Sequence, residues 1–412
     1  MNNKRPLEGL TVLDFTIALA GPYATFLLAG LGARVIKIEN PDGGDVCRNN
    51  SPYLGKNGVT LTKEHDDDFS ISALNRLRDK ESITLNMKHP EAKQILIKLI
   101  AKADIIVENF SKGVMDKLGF GYNFAKSVNP KIIYCAITGF GSSENTGDRK
   151  AMDSIIQALS GVMMTSGAET DPPIRVGVPF ADMNAPLFGV IGILAALQNR
   201  HGSGIGQYVD ISMLGVLTSM VACEPFDILE RCGVSQRTGT TVPRLAPFGM
   251  FPSKDGFISI AAPTEVFARN LFRVIEQSDL AKDDRFNSRD SRVKNEKELN
   301  QIIEHFTKQH STAYLVELFN NNNVPTAEVR SPKEAVRDSA VIERGETLPV
   351  EHPIYGNTDD VLGMGIPIRL SHSTVGFEKM APTLGEHNGS IYGTMLGFSD
   401  QEITDLKQNK AI

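Results

Sequence analysis

The chain has 412 residues, with 43 Lys plus Arg against 49 Asp plus Glu, a net charge of −6 and 41% hydrophobic residues. That length exceeds one average domain and can bury a large core, so two domains without a disulfide or metal staple are expected. The acidic balance argues against a nucleic-acid partner, which needs a basic surface. The four cysteines, Cys47, Cys135, Cys223 and Cys232, form no CxxC pair, and the eight histidines form no HxxxH or HExxH pair, so no metal site is expected. MNNKRPLEGL lacks the apolar stretch of a signal peptide, and the most apolar run, Ala185 to Leu197, carries Pro186 and is too short for a bilayer. A soluble, cytoplasmic protein with no membrane partner is the expectation.

In chain order, TVLDF (11–15) reads as a buried strand, followed by a small-residue turn, ALAGP (18–22). An apolar helix (23–32) with a glycine stop and a strand, ARVIKIE (33–39), complete a βαβ unit. Pro90 opens a helix with Ala92, Ile95, Leu96, Leu99, Ile100 and Ala103 on one face; DIIVE (104–108), KIIYCAIT (131–138) and GQYVDIS (206–212) read as further strands. Strands alternating with helices predict an α/β class with a parallel sheet. After Pro225 the composition turns polar. PFGMFPSKDGFISIAA (247–262) reads as a hairpin turning at KDG, residues 264–322 are helix-rich, and the loop-rich end closes with a short helix capped by Ser399. The expected domains are 1–225, a linker and small α+β domain over 226–334, and a C-terminal segment, 335–412, returning to the first.

Glu39 stands about where a dinucleotide-binding fold carries its ribose-binding acid. The turn before the helix, TIALAGP, nevertheless holds one glycine, Gly21, followed by Pro22, which has no N–H, so the phosphate-binding fingerprint is missing. The more unusual segment is DPPIRVGVPFADMNAPLFG (171–189). There Asp182 is an isolated acid among small and apolar residues, costly to bury unless hydrogen-bonded. As an N-cap it would start a helix through Leu187 to Arg200, with Pro186 early in it; as a nucleophile it would sit ionised at the positive end of that helix, and the two roles are compatible. Asp153, in KAMDSIIQALSG, is a second isolated acid and a candidate cap.

VLDFTIALAGPYAT, GARVIKIENPDGGD, ADIIVENFSKGVMDKLGFGY, DSIIQALSGVM, RHGSGIGQYVDISM, FPSKDGFISIAA and APTLGEHN occur in this order from about residue 6 to the C-terminus. Together they resemble the class III CoA-transferase family, which includes formyl-CoA and carnitine CoA-transferases and the 2-methylacyl-CoA racemases. The resemblance implies a large domain with a Rossmann-like parallel sheet built from both ends of the chain, a smaller domain, and an interlocked homodimer. It implies CoA thioesters as substrates rather than a tightly bound cofactor, with a carboxylic acid as the second substrate. Asp182 matches the family's nucleophilic aspartate, which forms an acyl anhydride and then an aspartyl–CoA thioester. For CoA binding the resemblance implies the backbone of Ala18, Leu19 and Ala20, Asn109 and Phe110 of the ENF motif, and the lysines Lys80, Lys117 and Lys150. Leu19 stands where formyl-CoA transferase has glutamine, and Asn40 where the family carries a phosphate-facing arginine.

The racemase branch moves a proton with a histidine in a GHD motif; here that tripeptide is AMD (151–153), and Met152 cannot move one. Transfer is therefore preferred over racemisation, and over a non-catalytic acyl-CoA-binding protein, which would have no need of Asp182. The family's glycine-rich closing loop is missing from AAPTEVFARN (261–270), which leaves 139–148 and 165–173 as candidate lids. Arg175 and Arg244 are candidates to pair a distal carboxylate, which would favour a dicarboxylic substrate.

Overall fold

A computed structural model describes residues 4–143, 149–242 and 244–412. These form two compact units: Met1–Ser160, Val176–Val221 and Val336–Ile412 make the first, and Gly161–Arg175 and Ala222–Ala335 the second. Residues 161–175 thus belong to the second unit, where the sequence pointed to the first.

Six parallel strands form the centre of the first unit: β1 (Thr11–Asp14), β2 (Arg34–Glu39), β3 (Lys80–Thr84), β4 (Ile105–Glu108), β5 (Ile133–Thr138) and β6 (Tyr208–Ser212). Every residue of β4 and β5 is buried. A strand covered on both faces has no wet side, which is why these segments read as continuous apolar runs. The strand order is β3-β2-β1-β4-β5-β6. The chain moves outward from β1 to β3, then returns to the other side of β1 with β4. Such a reversal, here at the carboxyl ends of β1 and β4, is the usual ligand position in open parallel sheets.

Eight helices matter for the site: α1 (Ala20–Gly30), α2 (Ile71–Arg76), α3 (Ala92–Ile100), α4 (Val114–Lys117), α5 (Tyr122–Val128), α6 (Asp153–Leu159), α7 (Phe180–Ser203) and α8 (Met213–Val221). Helix α3 buries the predicted stripe, Ala92, Ile95, Leu96, Leu99 and Ile100; each buried Leu or Ile contributes about 1.5–3 kcal/mol. The C-terminal segment completes this core with Ile391, Tyr392, Ile403 and Leu406. Its last helix, Asp400–Gln408, begins at a capping box between Ser399 and Glu402.

Helix α7 has 24 residues and is long and apolar enough, by length and composition alone, to cross a membrane. Its buried side includes Ala185, Gly189, Ile193 and Leu197. The approach to the sheet is close: a Cβ on Gly192 would stand 2.6 Å from Val209 Cγ1. Leu187, Phe188, Ile191 and Leu194 on α7 are exposed.

The second unit has a four-stranded sheet of Thr241–Val242, Leu245–Pro252, Phe257–Ala261 and Thr326–Glu328 in consecutive order. The expected hairpin is its central pair. Helices Glu265–Val274, Glu296–Thr307 and Thr312–Asn321 pack Leu271, Phe272, Leu299, Ile303, Leu315 and Phe319 against Phe251, Ile258 and Ile260.

Candidate active site

Beside the strand-order reversal lies a buried ionic lattice. Asp14 at the end of β1 lies within 3.0 Å of Lys80 and 3.5 Å of Lys37, and Lys37 lies 3.1 Å from Asp45. All four are essentially inaccessible to solvent. Burial opposes the charge on Asp14, but Lys37, Lys80 and the hydroxyls of Thr16 and Thr25 outweigh it and hold the carboxyl below its ordinary value. Burial likewise opposes charge on Lys37, and Asp14 and Asp45 overcome it, so that ammonium stays protonated.

This lattice shapes the turn after β1 through its backbone. Lys37 Nζ donates to the Thr16 carbonyl. The Asn109 carboxamide accepts from Ile17 N at 2.8 Å and donates to the Ile17 carbonyl at 2.9 Å, tying the turn after β1 to the one after β4. Ala18 N donates to Asp45 Oδ1 at 2.9 Å, and Arg76 Nη1 donates to the Ala18 carbonyl at 2.9 Å. Ala18 has φ of +66°, a left-handed conformation that costs a residue with a Cβ about 1–2 kcal/mol. Four side chains from distant parts of the sequence hold it there. Gly21 is required by the same construction: a Cβ would fall 2.3 Å from Thr16 Cβ and 2.9 Å from Asn109 Cγ.

The second half of the site is the start of α7. The helix begins at Phe180, earlier than the sequence suggested, so Asp182 lies in its first turn rather than at the cap. Capping is done from 29 residues upstream: Asp153 Oδ1 accepts from Ala181 N at 2.8 Å and from Asp182 N at 3.3 Å. Asp153 is therefore a cap, but for α7 rather than for its own helix. Its Oδ2 accepts from Gln157 Nε2 at 2.7 Å, and Gln157 Oε1 accepts from Val176 N at 2.9 Å, fixing the segment that leads into α7.

The half-buried Asp182 carboxylate accepts no hydrogen bond from the described residues and has no basic nitrogen among them within 4.0 Å. Burial first, and then the nearby charge of Asp153, push its carboxyl up to about 6, while Arg76 opposes them. Pro186, one helical turn on, has no N–H to offer the Asp182 carbonyl. The geometry thus presents a more basic than usual carboxylate, with open lone pairs, at a helix N-terminus.

A sequence model of CoA-transferase family III matches residues 7–388. The chain belongs to this family. It is 31% identical over 410 residues to succinyl-CoA:glutarate CoA-transferase of Homo sapiens, covering 98% of this chain and 90% of the relative. It is 33% identical over 429 residues to formyl-CoA:oxalate CoA-transferase of Streptomyces avermitilis, covering 99% and 100%. Among solved structures, a CAIB/BAIF family protein from Brucella suis superposes with a TM-score of 0.81 at 30% identity, covering 96% of this chain and all of that one. The protein is a family III CoA-transferase, an enzyme class whose substrates are CoA thioesters.

Within this family III enzyme the expected residues separate into groups. Ala18, Leu19 and Ala20 lie in the turn after β1 and at the start of α1, with Ala20 buried and the other two half-buried. Asn109 adjoins them, but both ends of its amide are spent on Ile17. Phe110 is half-buried against the main core. Lys117, Lys150 and Asn40 are exposed.

Lys80 departs from the expectation of a phosphate contact. Its ammonium is inside the core and donates to Asp14, the Pro22 carbonyl and Thr25 at 3.0, 3.0 and 2.7 Å, so it has no free face. Arg244 is also committed, to both oxygens of Glu224 at 2.5 and 2.6 Å, and Arg175 is an exposed residue of the second unit. Of the candidate lids, residues 144–148 lie outside the described residues, and 165–173 belongs to the second unit. Sequence reasoning missed Arg76, Asp45, Lys37 and Gln157. For Lys37 a signal existed: a lysine inside the apolar strand RVIKIE demands a buried counter-charge.

Proposed function

We propose that the enzyme moves CoA from an acyl-CoA donor to a carboxylic acid acceptor through covalent intermediates on Asp182. One observation carries this reading: Asp153 performs the capping that Asp182 would otherwise perform, and the Asp182 carboxylate accepts no hydrogen bond from the described residues. With its carboxyl pushed up to about 6, Asp182 is about nine-tenths ionised at pH 7 and more basic than an ordinary carboxylate. Its oxygen attacks the donor thioester, the C–S bond breaks and CoA leaves as thiolate. The thiolate then attacks the aspartyl carbonyl of the anhydride, giving an aspartyl–CoA thioester and the free donor acid. An acceptor carboxylate runs the same steps in reverse. Splitting one exchange into steps between activated acyl groups is the benefit of a carboxylate nucleophile.

CoA is assigned to the strand-order reversal, along the Ala18–Ala20 turn and Phe110, with Lys117 and Lys150 as phosphate partners and Asn40 a weaker one. The strand order supports the Rossmann-like reading. The names of the relatives, with succinate, glutarate and oxalate as acids, favour a dicarboxylic substrate. The exposed apolar residues of α7 support a homodimer, expected as a dimer mass that is independent of concentration; a readily dissociating monomer contradicts that assignment.

Transfer is tested by incubating a panel of acyl-CoAs with isotopically labelled dicarboxylic acids and following label into the CoA ester. One pair should exchange in the wild type and none in Asp182→Asn. Exchange at the wild-type rate in that variant would remove Asp182 from the chemistry.

A further inference from the structure

Arg76 is the last residue of α2, in a stretch that gives no sequence sign of a site. It is half-buried, yet its one hydrogen bond to the described residues runs from Nη1 to the Ala18 carbonyl at 2.9 Å. No carboxylate oxygen of the described residues lies within 4.0 Å of the guanidinium, and its Nε and Nη2 edge has no partner among them. Burial draws this guanidinium below its ordinary value, and Cys47, Asp45 and Asp182 offset only part of that effect, so its charge is incompletely compensated. It is also the cation that acts against the raised value of Asp182. A half-buried arginine with an open fork, fixed on the Ala18 carbonyl and unpaired with Asp182, is suited to take an anion at this site.

We propose that Arg76 receives the reacting carboxylate of the acid substrate and holds it against the Asp182 acyl group. This rests on the reading of Asp182 as the nucleophile. The charge balance of the second half-reaction explains the need. Asp182 is then a neutral thioester, but Asp153 remains beside it as a carboxylate, and the incoming acid is an anion. The acceptor oxygen donates an electron pair to the aspartyl carbonyl carbon and forms a C–O bond. The C–S bond breaks, and CoA thiolate leaves with its pair; no proton is transferred. Two anionic oxygens crowd that site, and Arg76 supplies positive charge to it. Its bond to Ala18 fixes the guanidinium, so the fork is already oriented when the acid arrives.

The test uses the full-length enzyme and the variants Arg76→Gln and Arg76→Lys. Gln retains a donor for the Ala18 carbonyl and loses the charge; Lys retains the charge and loses the fork. Acyl-CoA affinity is measured by calorimetry, and loading of Asp182 and its discharge to a carboxylic acid are followed separately. Loss of a charge-assisted hydrogen bond predicts an acceptor KM raised by about 10- to 100-fold in Arg76→Gln. Loading from acyl-CoA and affinity for it should change little. Arg76→Lys should be intermediate, and added guanidinium ion should restore part of the discharge rate in Arg76→Gln. If the wild type never loads Asp182, the nucleophile reading itself fails. If it loads and Arg76→Gln discharges with the wild-type KM, the role of Arg76 is overturned while the nucleophile stands. Weakened acyl-CoA binding with an unchanged acceptor KM would assign Arg76 to the Ala18 turn or to a CoA phosphate, and would also overturn it.

Discussion

Replacing Asp182 by Asn should abolish transfer and, at neutral pH, make the folded protein more stable. The carboxyl rises from 3.8 to about 6 on folding, and at about 1.4 kcal/mol per unit this corresponds to roughly 3 kcal/mol. The sign follows from proton uptake. Between these two values the folded state holds a proton that the unfolded state has released, so the group's contribution to stability is lost as pH rises through the window. At pH 7.5 the wild type carries the full penalty of about 3 kcal/mol; at pH 4.5 about 1 kcal/mol remains, and below the unfolded value it disappears. Asn has the same shape and no charge, so it is free of this term at every pH. Urea unfolding of both proteins at pH 7.5 and pH 4.5 measures the difference directly. A variant no more stable than wild type at pH 7.5, or a gain that does not shrink on acidification, would refute the account of Asp182 as a destabilised, functional carboxylate. Such an exchange of stability for activity is common at catalytic sites.

Asp153→Asn keeps an acceptor for Ala181 N and removes the negative charge beside Asp182. Burial remains the larger cause of the raised value, so the acid limb of the kcat/KM profile should move down by on the order of 1 pH unit; an unmoved limb would show that another group produces it. Lys80→Met strips Asp14 of one buried partner and should cost about 3–5 kcal/mol in urea unfolding. Lys117→Ala, at the surface, should leave stability within about 0.5 kcal/mol and weaken CoA binding in calorimetry. The opposite ranking would return Lys80 to the phosphate site.

The sheet was legible because its central strands are buried on both faces. TVLDF, DIIVE and KIIYCAIT carry their own burial signal, and α3 its stripe. The catalytic candidate was legible as an isolated acid, but its local role was not. Nothing near Asp182 reveals that its helix is capped from Asp153, because the contact spans two helices and depends on where Gln157 holds the intervening chain. Lys80 looks like a surface lysine in RDKESI, and only β1, two strands away with Asp14 aimed at it, turns it inward. Arg76 and Asp45 sit in polar stretches where charge is the ordinary composition. Their meaning lies in the Ala18 backbone they grip, and positive φ at an alanine leaves no trace in the residue sequence.

The central claim, that Asp182 becomes covalently acylated, is tested most directly by trapping. The enzyme is incubated with acyl-CoAs, succinyl-CoA among them, in the presence of hydroxylamine, and its peptides are mapped by mass. The account predicts a hydroxamate on Asp182 that appears only with a donor acyl-CoA and is missing from Asp182→Asn. An unmodified Asp182 with every acyl-CoA that measurably binds would contradict it.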